Sequence, residues 1–205
     1  MPEVIGPLRD RRARRAFDIR PVAADVRATL WEAVSLAPSH GNAQPTRLVA
    51  AAEPPSRARL FEALSRGNRE WAGAAPLLVA VTARPADDSA HDNSDGTQRE
   101  MWAFHAGIAT GNLITQATAL GLVAHPMAGY DEPAVRAALG IPLAVRVIAV
   151  VAIGYPGATD SLPDDLQRRE RAPQRRLPLD HLVGEERWTT LQDVTWKQYR
   201  ESLEG

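Results

Sequence analysis

The sequence predicts a chain of helices and strands built on one central sheet, and three observations predict it. Two continuous apolar runs of strand length, "APLLVAVTA" (75–83) and "VRVIAVVAIG" (145–154), ask for burial on both faces of a sheet. Between and around them, apolar residues recur at helical spacing. Prolines and glycines mark the ends of nearly every such segment.

The elements follow in order. "RPVAADVRATLWEAVSLAPS" places Val26, Leu30, Ala33, Val34 and Ala37 on one helical face, and Pro38 stops the helix. "TRLVAAA" (46–52) reads as a short strand. "PPSRARLFEALSRGN" opens with helix-start prolines and closes on Gly67. "APLLVAVTA" is the first fully buried strand. "RPADDSAHDNSDGTQ" (84–98) is polar throughout and reads as a mobile, solvent-facing loop; its acidic spacing fits no calcium loop. A long helix runs from Glu100 to Leu122, with Gly121 as its stop. "LVAHPMAGYD" is a strand entering a glycine turn, "EPAVRAALGIP" a short helix ended by Gly140, and "AVRVIAVVAIGYP" a second buried strand. The segment after Pro156 is irregular, and "ERWTTLQDVTWKQYRESLEG" forms at most a short amphipathic helix. Three or four strands separated by helices predict mixed helix and strand structure on one sheet.

The chain has 205 residues, a formal net charge of −1 and no cysteine. Disulfides, thiol nucleophiles, iron–sulfur clusters and cysteine–zinc sites are excluded at once. No global field draws it to nucleic acid or to an anionic membrane. The opening "MPEVIGPLRDRRARR" lacks the apolar core of a signal peptide, and no apolar run is long enough to span a bilayer. The expectation is a cytoplasmic protein with no nucleic-acid, membrane or metal partner.

Two stretches carry chemistry. "RDRRARR" places five arginines in seven residues. Were it helical, Arg11 and Arg15 would share a face. Such a cluster is a solvated basic face, a nucleic-acid arm or a phosphate site, since a dianion favours converging guanidinium forks. A second basic cluster, "RAPQRRLP" (171–178), offers further forks. The other stretch, "PSHGNAQP" (38–45), is a loop between two prolines crowded with hydrogen-bonding groups. Ser39 and His40 are adjacent, which rarely sets a nucleophile against its base, and no nucleophile elbow is present.

Taken together these segments resemble the nitroreductase family of flavin-dependent oxidoreductases. The resemblance rests on Arg11-Arg12-Ala13-Arg14-Arg15-Ala16-Phe17 and on Ala37-Pro38-Ser39-His40-Gly41-Asn42-Ala43-Gln44-Pro45-Thr46, followed in order by "GNREWAGAAPLLVAV", "GNLITQATALGLVAHPMAGYD", "IAVVAIGYPG" and "RRLPLDHLV". It implies an α+β, nitroreductase-like fold in residues 1–184, a central mixed β-sheet flanked by helices, and a helical tail at 185–205 packing on a homodimer. It also implies one FMN per subunit at the dimer interface, and ping-pong hydride transfer from NAD(P)H through flavin N5 to a small-molecule acceptor such as a nitroaromatic or a quinone.

By the same resemblance Arg11, Arg12 and Arg176 hold the phosphate, with Ala13 at the motif serine. Arg15 approaches the N1–C2 oxygen edge, Asn68 the pyrimidine end, and Pro126, Met127, Ala128 and Gly129 lie along the ring near N5. Pro38, Ser39, His40 and Asn42 close the partner's site, and His105 falls on the long helix near the flavin. No catalytic side chain is required; His40, His105 and Tyr130 are candidate proton donors. Two departures from the family motifs stand out, Ala13 for serine and Thr46 for tryptophan; and where some members carry an acidic residue in the turn by N5 and a lysine near the flavin's O2 edge, this chain has Ala128 and Trp71. They leave room for an FMN storage or sensor protein, or for a specialised dehydrogenase or dehalogenase-like member.

Overall fold

The computed structural model describes residues 3–88 and 91–204. Ser89 and Ala90 of the acidic loop, and the last residue of the tail, lie outside the described residues. The chain divides into two compact units, Met1–Glu170 and Arg171–Gly205. This division falls earlier than residue 185, the expected start of the tail.

The first unit is built on a four-stranded sheet of β1 (Thr46–Ala51), β2 (Leu77–Ala83), β5 (Val123–Met127) and β6 (Arg146–Gly154), in the order β1-β2-β6-β5. Every pairing in it is antiparallel, so the expected mixed sheet is corrected on this point. The reason is connectivity: β1 and β2 are joined through helices α3 (Pro54–Glu62) and α4 (Arg66–Ala72), yet return as neighbours running in opposite senses. All seven residues of β2 are buried, as its unbroken apolar run predicts.

Alternation along β2 divides the core. Leu78 and Ala80 point to one side, with Ala152, Met127, Leu60 of α3, Trp71 of α4 and Val135 of α6 (Glu132–Leu139). Leu77, Val79 and Val81 point to the other, with Val151, Ile153, Leu30 of α2 (Ala24–Ser35), and Ala106, Leu113 and Ala117 of α5 (Trp102–Ala119). Asn112 ties α5 to α2 on this side by donating to the Ala33 carbonyl at 3.0 Å. The left-handed turns at Gly121 and Gly140 end α5 and α6 as the sequence indicated.

Two local expectations are corrected. Gly67 does not close a helix; it lies in the first turn of α4. The polar stretch 84–98 is not simply a solvated loop: it contains a one-turn helix at Pro85–Asp87 and a small hairpin, β3 (His91–Asp92) with β4 (Gln98–Arg99). The arginine segment is also not helical. A five-residue helix α1 (Gly6–Asp10) ends before Arg11, which adopts an extended conformation.

The segment then docks along the chain that leaves β6. Phe17 bridges to Pro156, Asp18 N–H donates to the Tyr155 carbonyl at 2.9 Å, and Gly157 N–H to the Ala16 carbonyl at 3.0 Å. A Cβ on Gly157 would stand 2.4 Å from the Phe17 carbonyl group.

In the second unit, α8 (Leu179–Leu182), a helical turn at Thr190–Asp193 and α9 (Trp196–Glu204) provide the local order. A capping box between Thr189 and Gln192 starts the turn. Rings of His181 and Tyr199 meet at 5.5 Å.

The close approach at Gly157 yields a test. Gly157→Ala is expected to push the Arg11–Phe17 segment off the end of the sheet and to cost about 1–3 kcal/mol, read as a shift in the urea midpoint. Gly67→Ala, where a Cβ meets open space, is expected to leave the midpoint unchanged or raise it slightly.

Candidate active site

A cleft of about 490 Å³ opens where the arginine segment, α4, the end of β5 and α7 (Asp164–Arg171) meet. Arg15, Asn68, Pro126, Met127, Ala128 and Gly129, all singled out from the sequence, line it together with Ser65, Trp71, His125, Asp165 and Arg169. The fold thus brings six of the candidates, from three distant segments, to one place.

Arg15 is set by its backbone. Its N–H donates to both carboxylate oxygens of Glu170, at 3.1 and 3.0 Å, and the N–H of Ala16 reaches the same carboxylate at 3.5 Å. The guanidinium has no ion-pair or hydrogen-bond partner among the described residues, so its charge is available to a ligand. A second cation on the rim, Arg169, is only loosely engaged by Asp165 at 4.0 Å.

The glycine turn after β5 is fixed from α4. Asn68 Nδ2 and the N–H of Ser65 both donate to the Gly129 carbonyl at 2.9 Å. Asn68 Oδ1 keeps no partner among the described residues. A Cβ at Gly129 would fall 2.5 Å from Ser65 Oγ and 2.9 Å from Asn68 Nδ2, so the turn needs glycine for contact rather than for φ.

Trp71 forms the inner wall. It stacks on Phe17, with ring centroids 6.1 Å apart and 14° between planes, and its other neighbour, His125, lies tilted against it at 4.5 Å and 33°. This wall is aromatic and backed by an imidazole. His125 Nδ1 bonds to the Arg14 carbonyl at 2.9 Å, so this nitrogen carries the proton. Burial drives the His125 pKa down to about 4; the Arg14 carbonyl opposes this, and the charges of Arg15 and Arg11 reinforce it. At neutral pH the ring is uncharged and its Nε2 presents a lone pair.

The remaining candidates are placed elsewhere. Arg12 is exposed and its guanidinium is spent on the Arg9 and Arg11 carbonyls, both at 2.9 Å; neither it nor Ala13 lines the cleft. Tyr130 also stays outside: its hydroxyl donates to the Val147 carbonyl at 2.8 Å, and burial, with Glu132 beside it, raises its pKa. Arg176 belongs to the second unit, where it lines a hollow of about 620 Å³ with Arg175, Leu182 and Trp196.

Pro38 and Ser39 line a different cavity, of about 380 Å³, with Gln44, Trp31, Leu48 and His105. His40 and Asn42 lie in the same loop and are exposed. His105 is buried, its Nε2 accepting from the His40 N–H at 3.1 Å. No cluster of metal-binding side chains occurs among the described residues, and no helix among them is long and apolar enough to cross a membrane.

Sequence reasoning missed His125, Arg169, Glu170 and Asp88. Glu170 meets Arg15 across 155 positions, a distance over which no local pattern speaks.

Residues 8–70 and 51–155 match the model of the nitroreductase family. The chain belongs to the nitroreductase family. A Thermus thermophilus protein named NADH dehydrogenase is 29% identical to it, over 84% of this chain and 91% of its own. A crystal structure described as an oxidoreductase containing FMN is 35% identical, with a TM-score of 0.81 and coverage of 91% of this chain and 93% of its own. A nitroreductase family protein from Clostridium difficile shares the fold at 24% identity and a TM-score of 0.71, over 89% and 97% of the two chains. This nitroreductase family member is accordingly an oxidoreductase.

The buried imidazole makes a prediction about stability. Above pH 6.5 both the folded and the unfolded chain hold His125 neutral; between 6.5 and about 4 only the unfolded chain takes up the proton. His125 therefore destabilises the fold by ~1.4 kcal/mol for each pH unit across that window. In thermal melts, His125→Phe is expected to lose less Tm than the wild type between pH 7 and pH 4.5. Parallel losses in the two proteins would show that His125 titrates normally.

Proposed function

We propose that this nitroreductase family member is an FMN-dependent oxidoreductase that passes reducing equivalents from NAD(P)H to a small-molecule acceptor, such as a nitroaromatic or a quinone. The observation that carries the reading is the cleft itself. One guanidinium without a partner, a glycine turn held open from below, an aromatic wall and a neutral imidazole line a single hollow of about 490 Å³. That donor set suits an anionic, flat, nitrogen-rich ring system bearing a phosphate. The relatives named as an NADH dehydrogenase and as an oxidoreductase containing FMN point the same way.

When bound, FMN supplies the hydride- and electron-carrying ring, and the protein supplies binding and electrostatics. In this reading Arg11 and Arg15 furnish positive charge toward the flavin, Asn68 Oδ1 accepts a ring N–H, and residues 126–129 form the platform for one ring face. Trp71 and Leu166 exclude water from the inner side. No side chain in the cleft needs to act as an acid or base for transfer to occur.

We also propose a homodimer in which Pro38, Ser39 and Asn42 of one copy close the cleft of the other. Two features support it. The loop lines a cavity distinct from the cleft of its own chain. Next to it stand two large apolar side chains facing solvent, Leu36 at 74% and Phe104 at 59% exposure.

The visible spectrum of the purified protein tests the reading first. Flavin absorption, about one FMN released per chain on heating, and anaerobic bleaching by NADH or NADPH are the expected results. Yellow protein that neither nucleotide bleaches would favour storage or sensing. Arg15→Gln is expected to weaken FMN binding by about tenfold to a hundredfold, with an unchanged Tm in the flavin-free chain. Shared sites are checked by mixing at limiting FMN: Arg15→Gln and an Asn42→Trp loop variant, each leaving its sites largely empty alone, should regain roughly a quarter of wild-type sites when co-refolded, as symmetry requires.

A further inference from the structure

Asp88 lies in the polar stretch before α5, read from the sequence as solvent-facing, yet its side chain is only 3% exposed. One carboxylate oxygen accepts the N–H of Met101 at the start of α5. The other faces His105 Nδ1 at 3.5 Å, and His105 is itself 3% exposed. These two atoms are the buried side-chain polar atoms without a hydrogen-bond partner among the described residues. Across the ring, His105 Nε2 accepts the His40 N–H at 3.1 Å. A backbone N–H can only donate, so Nε2 is unprotonated and the imidazole proton sits on Nδ1, aimed at Asp88. A carboxylate behind an imidazole is how proteins fix its tautomer and orientation.

What the imidazole holds is a strained loop. Gly41, Asn42 and Gln44 have φ of 56°, 56° and 47°, and two of the three are not glycine. Such a conformation persists only where its surroundings over-determine it. Within the loop, Ser39 Oγ accepts the Gln44 N–H at 2.8 Å, while the Asn42 and Ala43 N–H groups turn back onto the Ser39 and His40 carbonyls. The His40 N–H to His105 contact ties this loop to α5, and through Asp88 to the start of that helix.

We infer that Asp88 and His105 form a buried positioning pair that holds the 39–44 loop in its strained conformation and thereby sets the affinity of the flavin site that the loop closes. The second half rests on the reading of the site given above. The pair acts through the loop backbone, so its members are positioning residues. An ordinary core histidine would need only its volume filled. A positioning histidine needs an acceptor on one edge and a donor on the other.

The test uses the full chain, with amide hydrogen exchange of residues 39–44 measured without flavin and FMN affinity measured by fluorescence titration. His105→Leu fills the space and is expected to speed loop exchange and weaken FMN binding, each by about tenfold, the cost of one lost buried hydrogen bond. His105→Gln offers an amide oxygen to His40 and an NH₂ group to Asp88, and is expected to bring both readouts back to within about threefold. Asp88→Asn leaves one side-chain oxygen for two donors, Met101 N–H and His105 Nδ1–H, and is expected to behave like His105→Leu. A melting curve confirms that each variant is folded; should His105→Leu not fold, Asp88→Asn against His105→Gln carries the comparison. Equal, wild-type-like exchange in all three variants would overturn the pair. Faster exchange with unchanged FMN affinity would overturn its link to the flavin site. A wild-type chain that binds no FMN would overturn the reading of the site, and the exchange results would still decide the pair.

Discussion

Burial of β2 on both faces is the constraint from which the rest of the first unit follows. A strand with no wet face must be covered twice, so the sheet needs a helical layer on each side. Alternation along Leu77–Ala83 assigns the residues to those layers. One layer is α2 and α5; the other is α3, α4 and α6. The cleft lies at the end of the second layer, where β5 runs out into the Ala128–Gly129 turn and α4 begins beneath it. The 38–44 loop leaves the first layer between α2 and β1. The two sets of functional candidates are thus consequences of one sheet having two covered faces.

Holding charge in the cleft follows a division of labour between backbone and side chain. Glu170 neutralises nothing on the Arg15 guanidinium; its oxygens take the N–H groups of Arg15 and Ala16 instead. The backbone is pinned while the cation stays open. Arg12 shows the opposite outcome, its fork folded onto carbonyls of its own segment. Guanidinium forks three positions apart in sequence therefore differ in what they can offer a phosphate, because one sits on an extended segment against α7 and the other faces solvent.

Much of this was legible in the residues. The buried strands, the long helix and the glycine stops follow from apolar runs and punctuation that depend on local physics alone. The convergence of Arg15, Asn68 and the 126–129 turn was legible only through resemblance, since nothing in their spacing brings them together. Antiparallel pairing was not legible, because a continuous apolar run fits a parallel or an antiparallel neighbour equally well. Nor was the extended arginine segment: its arginines suit a helix, and only the docking of Phe17 beside Pro156 overrides that preference. Asp88 was read as solvated for a similar reason. An aspartate amid polar neighbours gives no local sign that a helix start and an imidazole will enclose it.

Trp71 brings no charge to the cleft wall: its ring stacks on Phe17 and meets the tilted ring of His125 at 4.5 Å. His125 brings none either, because burial and the nearby arginines keep it neutral. The cations that line the cleft are therefore Arg15 of the arginine segment and Arg169 of α7. The Arg15 cation is carried on a backbone anchored through Glu170, and the chain that follows it docks at the end of the sheet. The docking of residues 15–18, through Glu170 and Gly157, is therefore the feature on which the placement of the Arg15 charge depends.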